Sequence, residues 1–292
     1  MEEQNSKENA RAAHTTLATG KYDPKLSLKE LSSAISKLGI KKANTRTWQL
    51  LLLGVLAGLY ISLGSQLFIA ALAQGHSKVV GGALFSLGLV FVLIAGAELF
   101  TGNIIMLVGT LTHLFAVKKL IRNWIGVYAG NFIGSVLTAV LIWQSGLMGN
   151  SAQLTQAGEI AVKIAEAKIS LPFMECLIRG FFCNMLVILA IIMATMSRDI
   201  ISKIVCCIFP IMAFVACGFE HCVANMYLIP IGLLAKGTPI LEQGIMFKNI
   251  LPVTIGNILG GIFILMIHPN RIRQFKFLIT EFKQRHKSNS SS

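Results

Sequence analysis

The fold is decided by residues 214–227, which read Phe-Val-Ala-Cys-Gly-Phe-Glu-His-Cys-Val-Ala-Asn-Met-Tyr. Here Glu220 and His221 stand beside Gly218, in the middle of an apolar run that is long enough to cross a membrane. Ionisable side chains at that depth cost several kcal/mol unless they have partners or line a cavity. We therefore predict that a membrane-spanning helix is broken in this stretch.

A second stretch repeats the pattern. Residues 96–103 and 218–225 both read Gly-x-Glu-x-x-x-x-Asn. Two such interruptions are typical of paired broken helices that meet at the membrane midplane. We interpret Glu98 and Glu220 as caps for backbone N–H groups that the breaks free, with their side chains turned away from the path. The residues expected to support the breaks are these two glutamates with Gly96, Gly218, Asn103 and Asn225.

The composition is that of an integral membrane protein. Of the 292 residues, 54% are hydrophobic and 13% are charged, whereas soluble domains carry about 25% charged residues. The net charge of +13 lies mainly in the tails and short loops, which is typical of membrane proteins and excludes nucleic acid as a partner. The six cysteines lie in apolar segments without zinc-site spacing, so we expect free thiols, no metal and no cofactor.

The apolar pattern predicts an all-α protein with a channel domain over residues 48–268. A cytoplasmic tail with an amphipathic helix precedes it over 1–47, as an anchor or alternatively a gate, and a basic tail follows over 269–292. A polar linker is expected to end near Lys168. Twenty of the 26 lysines and arginines fall on one side of the membrane, so both termini should be cytoplasmic. The six expected transmembrane helices cover about 48–73, 79–114, 123–143, 171–196, 202–234 and 250–267.

The two halves of the channel domain, about 48–143 and 171–268, resemble each other. Gly-x-x-x-Gly at 54–58 matches Gly-x-x-x-Asn at 180–184, 126 residues on. The Gly-Asn-x-x-Gly pattern at 130–134 recurs at the same offset. Because each half has three spans, an odd number, the second half must be inserted upside down. The sequence therefore predicts a 3+3 inverted repeat.

The breaks favour an anion in the path. Half-helices that begin near Gly102 and Ala224 would point their positive N-terminal ends at the midplane, and His221 adds a donor. One alternative is a neutral-solute channel of aquaporin type, although the chain has no paired Asn-Pro-Ala. The other is a membrane enzyme with a metal on Glu98, Glu220 and His221, which would need further ligands.

Two motifs carry a resemblance to a known family. Glu-Leu-Phe-Thr-Gly-Asn at 98–103 and Gly-Phe-Glu-His-x-x-Ala-Asn-Met at 218–226 resemble the two signatures of the formate–nitrite transporter family. The resemblance covers about residues 27–270. It implies an aquaporin-like inverted repeat with six transmembrane helices and two broken helices, assembled as a homopentamer with one pore per protomer. It also implies passage of small monovalent anions such as formate, nitrite, hydrosulfide, acetate or lactate, and no enzymatic activity.

The resemblance also assigns roles in the pore. His221 matches the central histidine, Thr101 and Asn184 match the polar residues around it, and Lys168 matches the lysine before the fourth span. It implies that the anion can take a proton, from His221 or through water, and cross as the neutral acid; a channel and a proton symporter are both compatible. Arg179 is not part of the family pattern, and we expect it to make a helix or subunit contact. The remaining matches are Leu89 and Phe214 in an inner hydrophobic constriction and Leu99, Phe100 and Val187 in an outer one.

Overall fold

The computed structural model describes residues 25–26 and 28–267. The interpretations that concern residues 1–24 and 268–292 lie outside them. The first helix, α1 (Leu28–Asn44), covers the stretch where an amphipathic helix is expected. Its apolar side chains Leu31 and Ile35 are buried, so α1 packs against the body of the protein. The long apolar helix α2 (Thr47–Ala73) follows.

The next part of the chain is the first interrupted helix. Its first half ends at Gly96, which takes φ +87°, a left-handed conformation that glycine adopts without strain. The interruption is predicted over 98–103 but lies at 97–99; Thr101 and Asn103 are helical, because their polar side chains find partners inside the protein. The elements in order are α3 (Lys78–Phe85), α4 (Leu87–Phe91), a π-helical turn (Val92–Gly96), α5 (Phe100–Asn103), a 3-10 turn (Ile104–Met106) and α6 (Leu107–Leu111).

Helix α7 (Val117–Gln144) begins earlier than the expected third span. Lys118, Lys119 and Arg122, which lie between the second and third expected spans, occupy its first turns. Lys119 Nζ donates to Asn44 Oδ1, and Arg122 Nη2 donates to the carbonyl oxygen of Ala43. These bonds join the start of α7 to the end of α1, so the basic side chains stabilise the contact between the two helices.

The expected polar linker is instead folded. A short antiparallel hairpin, β1 (Gly149–Asn150) and β2 (Gln153–Leu154), leads into α8 (Gln156–Ile169). Ala161 of α8 is buried, and a Cβ at Gly232 would collide with its carbonyl group. Small residues therefore let α8 pack closely against α11. A hydropathy profile does not reveal such a contact, because small residues contribute little to it.

The second interrupted helix follows α9 (Phe173–Met196). It consists of α10 (Ile200–Ala216) and α11 (Cys222–Lys236), with Gly218 between them at φ +71°. His221 is the N-cap of α11. The predicted interruption at 218–225 thus ends earlier, at residue 221, and the fifth predicted span is two shorter apolar helices.

A 3-10 segment (Ile240–Met246) and α12 (Phe247–Ile267) complete the described chain. Within the described residues, five helices are long and apolar enough to cross a membrane: 47–73, 78–96, 117–144, 173–196 and 242–267.

Glycines bring the long helices into close pairs. A Cβ at Gly54 would lie 2.9 Å from the carbonyl oxygen of Val127, which joins α2 to α7. A Cβ at Gly180 would lie 2.7 Å from that of Val253, which joins α9 to α12. Small residues at such contacts let helix backbones approach each other in lipid. Helix α11 lies at the centre, with nearly every side chain buried from Cys222 to Ala235.

Candidate functional site

His221 is fixed by hydrogen bonds from both ring nitrogens. The backbone N–H of Ala224 donates to Nδ1 over 3.1 Å, which caps α11. Nε2 lies 2.9 Å from Oγ1 of Thr101 in the first interrupted helix. Because Nδ1 accepts, this bonding assigns the neutral tautomer with the proton on Nε2, which donates to Thr101. The hydroxyl hydrogen of Thr101 is then free to point elsewhere.

Asn184 of α9 completes a buried polar group with these two residues, the chamber triad (Thr101, Asn184 and His221). Its Nδ2 donates to the carbonyl oxygen of Asn257 over 2.7 Å and lies 3.4 Å from that of Thr101. Its Oδ1 is buried and has no hydrogen-bond partner among the described residues. The triad therefore contains an oxygen that can accept a hydrogen bond from a bound molecule.

Beside the first break lies the Lys42 cluster, composed of Lys42, Glu98, Asn103 and Asn123. Lys42 Nζ reaches Glu98 Oε2 over 2.7 Å and Asn103 Oδ1 over 2.9 Å. Asn103 Nδ2 donates to Glu98 over 2.6 Å and to Asn123 Oδ1 over 2.8 Å. Sequence reasoning missed Lys42 and Asn123, although each stands 126 residues before its counterpart in the second half.

Beside the second break lies the Lys168 cluster, composed of Lys168, Glu220, Asn225 and Asn249. Lys168 Nζ lies 2.8 and 3.0 Å from the two oxygens of Glu220. Asn225 Nδ2 donates to Glu220 Oε2 and to Asn249 Oδ1, each over 2.6 Å. Asn225 Oδ1 is buried without a partner among the described residues.

The two glutamates do not cap the broken helices. Among the described residues, the bonds to Glu98 and Glu220 come from lysine and asparagine side chains and not from backbone N–H groups. Glu220 also lines a cavity and is not turned away from it. The cap interpretation is wrong because buried lysines, which carry charge, compete for these carboxylates.

Two asparagines satisfy the freed backbone groups instead. Asn131 Oδ1 accepts from the N–H of Phe100, and Asn257 Oδ1 accepts from the N–H of Cys222, both over 2.9 Å. Each Nδ2 donates to two carbonyl groups of its own half, Gly54 and Glu98 for Asn131 and Gly180 and Glu220 for Asn257. The repeated Gly-Asn pattern is the signal for both residues, but it predicts only helix packing.

A cavity of about 230 Å³ leads to this site. It is lined by Lys168, Glu220, Asn225 and His221 and by the ring of Phe214. Exposure of the Lys168 side chain is 15%, and that of Glu220 is 6%. The cavity therefore joins the Lys168 cluster to the imidazole of the chamber triad.

Phe214, expected in the inner constriction, stacks on His221 with ring centroids 5.9 Å apart and lines the cavity with Lys168. Leu99 and Phe100, expected in the outer constriction, follow Glu98, which binds Lys42 of the N-terminal helix. Leu89 and Val187, like Leu99, Phe100 and Phe214, are buried.

No group of three or more His, Cys, Asp and Glu side chains within the described residues could hold a metal ion. Glu98 and Glu220, the proposed ligands of the metalloenzyme alternative, belong to different clusters, each with its own lysine.

Comparison with known proteins gives concordant matches. The family model described as formate/nitrite transporter matches residues 29–269. The chain is 37% identical over 243 residues to the formate channel FocA of Haemophilus influenzae, which covers 75% of this chain and 85% of that protein. Among solved structures, a pentameric formate channel with formate bound matches with a TM-score of 0.63 and 31% identity, over 75% of this chain and 95% of that one. A structure described as an FNT family ion channel matches with a TM-score of 0.71 and 28% identity, over 80% and 95%.

Proposed function

Because the chain belongs to the formate/nitrite transporter family, we propose that it carries formate and related small monovalent anions across a membrane. The related anions are nitrite, hydrosulfide and short monocarboxylates such as acetate and lactate. The observation that carries the proposal is the chamber triad, a buried set of Thr101, Asn184 and His221 reached through a cavity that contains Lys168. A lysine near the mouth favours an anion, and buried apolar side chains such as Phe214 and Leu99 beside the triad exclude bulk water.

The architecture proposed for this function is a homopentamer of six-span protomers, each a 3+3 inverted repeat with both termini in the cytoplasm. Support comes from Lys42 and Lys168, which stand 126 residues apart and each pair with the glutamate at one break. Asn131 and Asn257 have the same separation and make equivalent bonds at the breaks. The pentameric formate channel is a similar structure. A cysteine placed at Ser151 should react with an impermeant reagent from outside intact cells. Reaction only after permeabilisation would contradict this topology.

Passage proceeds with the substrate as its neutral acid. An apolar constriction imposes a large cost on a bare charge and a small one on a neutral molecule. The triad offers one donor, the Thr101 hydroxyl, and one acceptor, Asn184 Oδ1. A carboxylic acid presents the complementary pair, a carbonyl oxygen and an O–H, whereas a carboxylate has no proton to donate.

The proton reaches the substrate through water in the cavity and not from His221. Nδ1 already accepts from Ala224, and Nε2–H is donated to Thr101, so the neutral ring could give a proton only by becoming an anion. His221 acts as a fixed neutral donor that orients the Thr101 hydroxyl.

Uptake of labelled formate into proteoliposomes, with and without an acidic exterior, tests the proposal. We expect flux above that of protein-free liposomes, increased by the acidic exterior, with nitrite, hydrosulfide and lactate competing. Passage of glycerol without passage of formate would instead indicate the aquaporin-like alternative. Formate flux that is the same with and without the acidic exterior would indicate an anion channel without proton coupling.

A further inference from the structure

Arg179 has a position that the pore residues alone do not explain. It belongs to α9, and its carbonyl oxygen accepts the backbone N–H of Glu220 over 3.3 Å. Its backbone is therefore tied to the second break. Arg179 lines the same cavity as Lys168 and His221. The helix or subunit contact expected from the sequence gives no reason for this placement.

The basic side chains of the cavity differ in exposure. The Arg179 side chain is 41% exposed and that of Lys168 is 15% exposed, while His221 is buried. Lys78 also lines the cavity, and Glu220 is the carboxylate in its wall. The guanidinium of Arg179 is therefore more accessible to an entering anion than the ammonium group of Lys168.

The partner of Arg179 is replaceable. Nη2 binds Glu175 Oε2 over 2.6 Å, one turn earlier on the same helix. Both side chains are more than a third exposed, and exposed pairs of this spacing are weak. The planar guanidinium group can bind both oxygens of a carboxylate at once. An ammonium group cannot form this two-point contact, and a spherical anion lacks the two oxygens that it requires.

We propose that Arg179 forms a docking site at the mouth of the cavity for planar anions with two oxygens, such as carboxylates and nitrite, and that Glu175 is its resident competitor. This inference rests on the proposed function, because it takes the cavity as the path of the substrate. Docking exchanges one ion pair for another: the substrate displaces the Glu175 carboxylate from the guanidinium and then passes to Lys168. The docking site thus selects anions by their shape, and the chamber triad then selects them by hydrogen bonding.

The test measures initial uptake of labelled formate into right-side-out membrane vesicles that contain the full chain, with vesicles lacking it as the blank. Unlabelled nitrite and hydrosulfide serve as a planar and a near-spherical inhibitor. Arg179→Lys keeps the charge and removes the fork, Arg179→Met removes both, and Glu175→Gln removes the competitor. Lys163→Met is the matched control, because Lys163 forms an exposed pair with Glu159 on α8, away from the cavity lining.

For Arg179→Lys we expect the formate KM and the inhibition constant of nitrite to rise about fivefold to tenfold, with the hydrosulfide constant unchanged. Arg179→Met should raise all three, Glu175→Gln should lower the formate KM, and Lys163→Met should change nothing. Equal values for wild type and Arg179→Lys would overturn the docking site. If the arginine variants do not assemble, an unchanged KM in Glu175→Gln would overturn it as well. Wild-type vesicles that take up no formate would instead refute the proposed function.

Discussion

The Lys42 and Lys168 clusters contain the same residue types at matching positions, yet they are bonded differently. Lys42 divides its bonds between Glu98 and Asn103, whereas Lys168 gives two to Glu220 and leaves Asn225 Oδ1 without a partner among the described residues. The Lys168 cluster borders the cavity. One repeated unit thus serves as a closed structural cluster at the first break and as a polar wall of the cavity at the second.

The residues that directly follow the two glutamates also differ between the two breaks. Leu99 follows Glu98 and gives no side-chain cap to α5, whereas His221 follows Glu220 and caps α11. A single position, apolar in one half and an imidazole in the other, therefore accounts for much of the asymmetry. Both halves have a break in the backbone, but only the second break carries an imidazole.

Removing either lysine should have the largest effect. Lys168→Met leaves the nearly buried Glu220 without its cation, so we expect a loss of about 3–5 kcal/mol in the free energy of unfolding. Lys42→Met should cost less, because Glu98 is more exposed than Glu220. Denaturant titration in detergent measures both. Lys236→Met is the control, since its pair with Glu166 has a similar length of 2.7 Å but is exposed. The double variant Lys168→Met with Glu220→Gln should recover most of the loss; no recovery would contradict the ion-pair explanation.

Removing either asparagine should have a smaller and symmetric effect. Asn131→Ala and Asn257→Ala each leave one backbone N–H and one carbonyl group unpaired at a break, and each removes a further bond to a helix carbonyl group. We expect each to lower the free energy of unfolding by about 2–3 kcal/mol. Thermal unfolding compares them, with the exposed Asn44→Ala as the control. A difference above about 1 kcal/mol would show that the two breaks are not equivalent.

Replacing the imidazole should cost less again. His221→Ala removes the cap of α11 and should lower stability by about 1 kcal/mol, whereas His221→Asn keeps an acceptor for the N–H of Ala224. Because we place the proton on the substrate, formate uptake by His221→Asn should still increase from pH 8 to pH 5. A flat pH profile in this variant, with normal stability, would assign the proton to His221.

The smallest effect concerns the caps at the start of each interrupted helix. Ser77 Oγ accepts from Val80 N–H, and Asp199 Oδ1 accepts from Ser202 N–H. The latter bond holds the pKa of Asp199 below its ordinary value of 3.8. A lowered folded-state pKa stabilises the protein above the unfolded pKa, and this stabilisation is lost as the pH falls through the folded pKa.

Asp199→Ala should therefore lower the unfolding midpoint by about 1 °C at pH 7 and by less at pH 2.5. Ser77→Ala should shift it equally at both values, because a hydroxyl cap does not titrate. Midpoints measured by scanning calorimetry in one detergent decide the matter, and equal shifts for Asp199→Ala at both pH values would contradict an ionised cap.

The residues of the chamber triad were predicted from the family resemblance, and the structure brings them together. The sequence itself predicted the presence of both breaks, because glycine and ionisable residues in the middle of an apolar run are stable in a bilayer only where they line a cavity or pair with each other. It misplaced the ends of the breaks, since hydropathy does not distinguish a polar residue in a loop from one bonded within a helix, as Thr101 is.

The side chains that bind the glutamates could not be predicted from the sequence for a different reason. Lys42 is one basic residue among several on an amphipathic helix, and only the fold brings it to Glu98, 56 residues away. Likewise, the sequence predicts a linker where α8 lies because the packing of this helix depends on alanine and on Gly232, which contribute little to hydropathy.

The asparagine bonds at each break lie wholly within one half of the chain. Asn131 binds Gly54, Glu98 and Phe100, all of which precede it, so the ribosome has made every partner by the time Asn131 emerges. The first half can thus close its own break during synthesis, before any part of the second half has entered the bilayer. Contacts that join the halves, such as Tyr128 Oη to Thr254 Oγ1 at 2.9 Å, form only after the last helix is made. During vectorial insertion, the backbone groups of Phe100 and Glu98 therefore wait only for Asn131 and for no residue of the second half.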